Sequence, residues 1–193
     1  MLSKFLDSRL LVLYITPFIL GLLSVFSFQP FNFSIINFFI LPTIFLLTLY
    51  VKKKSKSTYR KKPYLQNLFL LGFMFGFGFY LSGIYWISYS LTFDENFKLL
   101  IPFAIILIPL FLGLFLGLTT LIIGQFLHYN FSSILLFSAS FGLSDYLRSK
   151  ILTGFPWNLW GYSWSWAVEI LQILNFVGLF AFNLIVITLF VVP

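Results

Sequence analysis

Long apolar runs dominate this sequence, and charged side chains are almost absent from them. A helix needs about 20 predominantly apolar residues to cross the hydrocarbon core of a bilayer. The runs are apolar at nearly every position rather than at alternate positions, which favours helices over the strands of a membrane barrel. We therefore predict an all-α integral membrane protein over residues 1–193, a bundle of about six transmembrane helices. The predicted spans are residues 10–27, 33–51, 65–90, 99–127, 133–147 and 171–192.

The composition excludes several classes of protein. Hydrophobic residues make up 60% of the chain and charged residues only 9%, whereas soluble domains carry about a quarter charged residues. This excludes an ordinary soluble domain, a disordered chain and a nucleic-acid binder with a basic folded face. The absence of cysteine excludes thiolate metal sites and a cysteine nucleophile on these residues, and the single His128 has no second histidine with which to pair. We expect neither a metal nor a cofactor on this chain.

Basic residues predict the orientation in the membrane. Seven of the 12 Lys and Arg residues lie between residues 52 and 62, and such clusters remain on the cytoplasmic side of a membrane. We therefore predict a cytoplasmic loop over 52–63 and a cytoplasmic N-terminus, in agreement with Lys4 and Arg9. The turn at 28–32, the loop at 91–98 and the segment 148–170 are predicted on the opposite side.

Two pairs of glycines occur at a spacing that is typical of close helix packing. Gly72 and Gly76 form one G-x-x-x-G step, and Gly113 and Gly117 form another. This spacing lets two helix backbones approach each other in an apolar environment. We interpret both steps as intramolecular packing sites in preference to dimerisation motifs.

Asp145 and Arg148 are ionisable residues at the end of the fifth predicted span. Their separation of three residues places them on one face of a helix, and ionisable groups at membrane depth are usually paired. Two interpretations remain open. The two side chains pair with each other and anchor the helix end, or they form a site in the outer leaflet for a lipid headgroup.

Aromatic residues cluster around the predicted outer surface. Gly154 and Pro156 interrupt the helix after Arg148, and tryptophans follow at 157, 160, 164 and 166. Tyr85 and Trp86 end the third span. Tyrosine and tryptophan favour the membrane interface because the ring is apolar and its tip is polar. The pattern predicts a Trp-rich periplasmic interfacial loop, which is either an aromatic belt or part of a site.

These residues resemble a known family. The segment Asp145-Tyr-Leu-Arg148, Thr153-Gly-Phe-Pro-Trp157 and Gly161-Tyr-Ser163 is similar to the signature of apolipoprotein N-acyltransferases of bacterial inner membranes. The Gly- and Phe-rich third span, which ends in Tyr85-Trp-Ile87, and the turn Phe28-Gln-Pro-Phe31 are similar to that family as well. The chain departs from the family pattern at four positions: Asp145 in place of Glu, Tyr146 in place of Trp, Ser149 in place of Gly and Trp164 in place of Gln.

The resemblance implies a particular chemistry. It implies an enzyme built from an eight-helix bundle and a periplasmic nitrilase-like domain that carries a Glu-Lys-Cys triad. The cysteine takes an acyl chain from a phospholipid donor as a thioester, and the chain passes to the α-amino group of the N-terminal cysteine of an apolipoprotein acceptor. We expect this sequence, which has no cysteine, to be the N-terminal membrane portion that positions lipid and substrate.

The resemblance also implies site residues. It places Gly154, Phe155, Pro156 and Trp157 at the entry from the membrane to the site, with Trp157 packed on acyl chains. It adds Arg148 as a phosphate partner, since its planar guanidinium suits that group. Further candidates are Tyr85, Trp86 and Tyr162. The alternative is a non-enzymatic membrane protein, namely a scaffold, a split subunit or a transporter, and the reading frame after Pro193 distinguishes the two.

Overall fold

The structure is a computed structural model that describes residues 8–54, 63–151, 154 and 156–192. All regular secondary structure in these residues is helical, which confirms the all-α class. Most of the predicted cytoplasmic loop, from 55 to 62, lies outside the described residues.

The helices follow the apolar runs. Helix α1 is Thr16–Ser24, extended by a π-helical turn over Leu11–Ile15 and a 3-10 turn over Val25–Ser27. Two 3-10 segments, Tyr85–Thr92 and Glu95–Leu100, connect α3 to α4, and a third, Trp160–Trp164, follows α5. The remaining α-helices are α2 (Asn37–Lys54), α3 (Pro63–Ile84), α4 (Ile101–Ile123), α5 (Phe131–Arg148), α6 (Val168–Leu171), α7 (Leu174–Val177) and α8 (Leu179–Val191).

Three helical stretches of the described chain are long and apolar enough to cross a membrane: Ser34–Lys54, Leu65–Thr92 and Glu95–Ile123. Leu11–Ser27 and Leu179–Val191 are shorter apolar helices. The count of about six spans therefore stays a prediction.

The last predicted span, residues 171–192, is not one continuous helix. Gly178 has a φ of +77° and separates α7 from α8. A positive φ is unfavourable for residues with a Cβ but is accessible to glycine, so the chain turns at this point. The uninterrupted helix α8 contains 13 residues.

Helix α3 lies at the centre of the first part of the bundle, between α1 and α4. The two G-x-x-x-G steps face each other, because a Cβ on Gly76 would lie 3.0 Å from the Cα of Gly113. A Cβ on Gly72 would lie 2.5 Å from the carbonyl oxygen of Leu116. Both steps therefore pack α3 on α4 within one chain, which confirms the intramolecular interpretation. Small residues let the helix backbones gain dispersion contacts that bulkier residues would prevent.

The second part of the bundle joins α5, α8 and α2. Helix α5 packs along α8, and α8 in turn packs on α2. The two parts share two ends. We call one the motif end, which comprises residues 28–34, 80–100, 145–151, 154 and 156–166. We call the other the basic end, which comprises Lys52–Lys54 and residues 127–130.

Candidate functional site at the motif end

A buried ion pair lies at the motif end. The Nη2 atom of Arg148 donates to Oδ1 of Asp145 over 3.1 Å, and the two side chains are only 1% and 3% exposed. The spacing of three residues along α5 brings the two groups together. This confirms the first of the two interpretations of these residues, in which the two side chains pair with each other.

A polar brace extends from this pair to two other elements. The side-chain amide of Asn183, on α8, donates to Oδ2 of Asp145 over 2.9 Å. The backbone N–H of Gly161 donates to Oδ1 of Asn183, also over 2.9 Å. The guanidinium of Arg148 lies 5.1 Å from the ring centroid of Tyr80, on α3, in a cation–π contact. We name Tyr80, Asp145, Arg148, Gly161 and Asn183 the polar brace, because they tie α3, α5 and α8 to the segment after α5.

Trp160 is part of the hydrophobic core. Its side chain is 1% exposed and stacks on Phe79, with ring centroids 4.7 Å apart and planes 5° apart. Phe75 stacks on the same indole at 6.2 Å, and Phe28 lies against it at 6.4 Å. The Trp-rich interfacial loop as a whole stays a prediction, and within it Trp160 has a structural contact with the core. The phenylalanines of α3 form an apolar surface on which the large ring is buried.

Trp157 and Trp86 form a half-exposed pair beside this core. Their ring centroids are 5.2 Å apart and their planes are inclined at 61°. The two side chains are 45% and 42% exposed, and Nε1 of Trp86 donates to the carbonyl oxygen of Gly83 over 3.1 Å. The structure thus brings together two site candidates that are 71 positions apart in the sequence. The pair presents apolar ring surface at the predicted membrane interface.

The neighbours of Trp157 have unusual backbones. Asn158 is buried, has a φ of +54° and packs against Gly83, where an added Cβ would lie 1.8 Å from its Nδ2. Gly154 has a φ of +74°, and a Cβ there would lie 2.3 Å from the carbonyl oxygen of Ser149. Both positions fix the course of the chain around Trp157. Pro156 is exposed, and Phe155 lies outside the described residues.

The remaining two candidates, Tyr85 and Tyr162, differ in their surroundings. Tyr85 is 55% exposed and lines a narrow crevice against α4. Tyr162 is partly buried and packs on the core. Burial raises the pKa of the Tyr162 phenol, and the nearby charge of Arg148 opposes this shift. The phenol is therefore a neutral hydroxyl at physiological pH.

The sequence reasoning missed Tyr80 and Asn183 as partners of the ion pair. One signal was present for Asn183, because it is a polar residue in an otherwise apolar run over 179–191, and such residues usually have a polar partner. Tyr80 carried no such signal. In the described part of the chain, no group of three or more His, Asp or Glu side chains is arranged to hold a metal ion.

The fold and this site define an α-helical integral membrane protein with buried polar groups and exposed aromatic rings at one end of its bundle. Residues 20–192 match the family model described as the apolipoprotein N-acyltransferase N-terminal domain. The chain belongs to this family, as its motifs indicated.

Several curated relatives are named apolipoprotein N-acyltransferase. One from Rickettsia bellii (strain RML369-C) is 35% identical over 176 residues, which is 90% of this chain and 32% of that protein. One from Rickettsia typhi (strain ATCC VR-144 / Wilmington) is 35% identical over 88% of this chain and 32% of its own length. One from Rhodopseudomonas palustris (strain ATCC BAA-98 / CGA009) is 30% identical over 90% of this chain and 31% of its own length. The chain spans about a third of the length of these relatives.

Proposed function

We propose that this chain is the membrane part of an apolipoprotein N-acyltransferase of the bacterial inner membrane. Its motif end, on the periplasmic side, holds the phospholipid acyl donor and the apolipoprotein acceptor. The acyl chain passes from the donor to a cysteine thiol and then to the α-amino group of the acceptor. These 193 residues contain no cysteine, so the contribution that we propose for them is binding and orientation, while the thiol belongs to a part of the enzyme outside them.

The observation that carries this proposal is the half-exposed contact between Trp86 and Trp157. An exposed indole pair offers a flat apolar surface on which an acyl chain can pack through dispersion contacts. Membrane-facing aromatic rings also suit the boundary between acyl chains and headgroups. A few residues after Trp157, the chain is fixed by the stacking of Trp160 on Phe79 and by the hydrogen bond from Gly161 to Asn183.

We assign Arg148 a positioning role instead of a direct contact with phosphate. Its side chain is 1% exposed and its guanidinium pairs with Asp145 and lies over Tyr80. A phosphate would have to displace these groups to reach it. Arg148 therefore stabilises the end of α5, after which the chain turns toward Gly154 and Trp157. Tyr85, Pro156, Phe155 and Tyr162 are proposed as further parts of the lipid-binding surface.

The first prediction concerns Trp157→Ala, introduced into the native gene of this protein. We expect a loss of lipoprotein N-acylation of at least tenfold at a normal level of protein in the membrane, because the donor chain loses its apolar contact. Trp157→Phe keeps most of the ring area and removes the indole N–H. The acylation level of this variant therefore measures the contribution of the indole N–H. Mass spectrometry of the N-terminal peptide of a lipoprotein measures the product.

Trp166→Ala is the matched control. Trp166 is 51% exposed in the same segment, but its Nε1 donates to the hydroxyl of Ser34, away from the Trp86 contact. We expect normal acylation for this variant. Normal acylation by Trp157→Ala would contradict the site assignment, whereas loss of the variant from the membrane would assign Trp157 a structural role.

A further inference from the structure

Gly83 contacts both Trp86 and the residue next to Trp157. It is buried near the end of α3, and its carbonyl oxygen accepts the hydrogen bond from Nε1 of Trp86 over 3.1 Å. The side chain of Asn158, which follows Trp157 in the chain, packs against the Cα of Gly83. One residue of α3 therefore touches Trp86 directly and reaches Trp157 through its neighbour.

The contact between Gly83 and Asn158 depends on the absence of a side chain at position 83. A Cβ built on Gly83 would overlap Nδ2 of Asn158 and would lie 3.0 Å from its Cγ. The third nearest atom, Oδ1 at 3.6 Å, belongs to Asn158 as well. The amide of Asn158 therefore occupies the space that a side chain at position 83 would need.

Asn158 combines two features that are unfavourable by themselves. Its φ of +54° lies in the left-handed region, which asparagine enters more readily than most residues but which disfavours any side chain. The residue is 6% exposed, and its Nδ2 atom has no hydrogen-bond partner in the described part of the chain. A buried donor without an acceptor is destabilising. Such strained positions persist where the surrounding structure imposes them, and they cluster at binding sites.

We propose that Gly83 and Asn158 are positioning residues that set the geometry of the indole pair. The hydrogen bond to Gly83 fixes the indole of Trp86, and the packing of Asn158 on Gly83 fixes the chain beside Trp157. The two ring centroids then lie 5.2 Å apart at an inclination of 61°, so that the rings present one surface to the donor acyl chain. This role depends on the proposed function of the indole pair as a lipid-binding surface.

Fluorine NMR of the purified full chain, labelled with 5-fluorotryptophan, measures the geometry of the pair. The chain has five tryptophans, and a Trp→Phe change at each position assigns its signal. Gly83→Ala forces Asn158 away, so we expect the signals of Trp86 and Trp157 to shift and the other three to stay in place. A general disturbance of the fold would move all five signals. Gly142→Ala is the control, because no atom lies closer than 3.6 Å to its added Cβ, and it should shift none of them.

An exchange of side-chain size between the two positions tests whether they act together. Asn158→Gly keeps the positive φ, which glycine adopts readily, and removes the amide from the space beside Gly83. We expect each single variant to lower lipoprotein N-acylation about tenfold at a normal protein level, because a displacement of about 1 Å in a positioned group is enough for a large loss of rate. In the double variant Gly83→Ala and Asn158→Gly, the new methyl group has the space that the amide occupied. We expect this variant to recover most of the acylation and both tryptophan signals.

Unshifted signals of Trp86 and Trp157 in Gly83→Ala would overturn the proposal, as would a double variant that acylates no better than Gly83→Ala. Shifted signals with normal acylation in Gly83→Ala would also overturn it when Trp157→Ala abolishes acylation. If Trp157→Ala acylates normally, the proposed function fails instead, and the tryptophan signals still decide whether Gly83 sets the geometry of the pair. If Gly83→Ala does not fold, unchanged signals and acylation in Asn158→Gly would overturn the proposal.

Discussion

At the scale of the residue, the tryptophans show how one side-chain type serves two purposes. Trp160 is 1% exposed and stacks on Phe79, whereas Trp157, three positions earlier, is 45% exposed and contacts Trp86. Their chemistry is identical, and only their neighbours distinguish them. Neighbours also decide the fate of the buried charges. Asp145 and Arg148 are tolerated in the interior because they form an ion pair with each other. A buried charge without a partner is strongly destabilising.

The second prediction follows from this pair. Asp145→Leu leaves Arg148 buried without its carboxylate, and we expect the free energy of unfolding in detergent to fall by about 3 kcal/mol. The double variant Asp145→Leu and Arg148→Met replaces both charges with apolar groups of similar size, so most of that loss should be recovered. Thermal and denaturant unfolding of the purified variants provides the measurement. A double variant that is as unstable as the sum of its two single changes would show that the pair is not coupled.

At the scale of the element, contacts between helix backbones organise the first part of the bundle. Helix α3 approaches α4 through Gly72, Gly76 and Gly113, and it approaches α1 where Gly21 meets the backbone of Phe75. Inside a membrane, a helix gains little by burying apolar surface against another helix, because the lipid around it is apolar too. Close packing is therefore a main source of helix association. Helix α3 can lie between two neighbours because glycines occur on both of its faces.

The third prediction tests the contact between α1 and α3. In Gly21→Ala, the new Cβ would lie 2.2 Å from the carbonyl oxygen of Phe75, so the two helices must move apart. We expect a decrease in stability of about 1–3 kcal/mol. Gly142→Ala is the control, because the nearest atom to its Cβ is 3.6 Å away and alanine favours a helix. A smaller stability loss in Gly21→Ala than in Gly142→Ala would contradict the close contact.

At the scale of the whole molecule, the two ends of the bundle differ in chemistry. The motif end combines buried polar groups with exposed aromatic rings, and the basic end presents the lysines of the last turn of α2. The orientation predicted from the basic residues would place these two ends on opposite sides of the membrane.

The fourth prediction tests the orientation. Because the chain has no cysteine, single cysteines can be placed at will. Ser57→Cys, in the basic loop, should be protected from a membrane-impermeant thiol reagent in intact spheroplasts. Asn96→Cys, which is exposed in the acidic loop, and Lys150→Cys, which is exposed just after α5, should react. Ser163 is fully buried and is unsuitable. Reaction of Ser57→Cys from the outside would reverse the topology.

The sequence by itself determined the class of the fold and several contacts that depend on the spacing of residues along one helix. Runs that are apolar at nearly every position span lipid as helices, because a helix satisfies every backbone N–H and C=O within its own segment, whereas the strands of a membrane barrel alternate. The spacing of Asp145 and Arg148 predicted that they share one face of a helix, and left open whether they pair. The spacing of the glycines predicted close helix contacts, because residues four positions apart lie on one helix face. The resemblance to the family was visible in the sequence because it rests on short motifs, each within one segment of the chain.

The tertiary structure alone decided which residues meet across the bundle. Trp86 and Trp157 are far apart in the chain, and no local pattern distinguishes Trp157 at the surface from Trp160 in the core. The partnership of Asp145 with Asn183 depends on how α5 packs on α8. Hydropathy did not predict the interruption of the last span at Gly178 either. This interruption comes from the positive φ of the glycine and not from a polar side chain. Such features arise from packing between elements, and periodicity within one element carries no information about them.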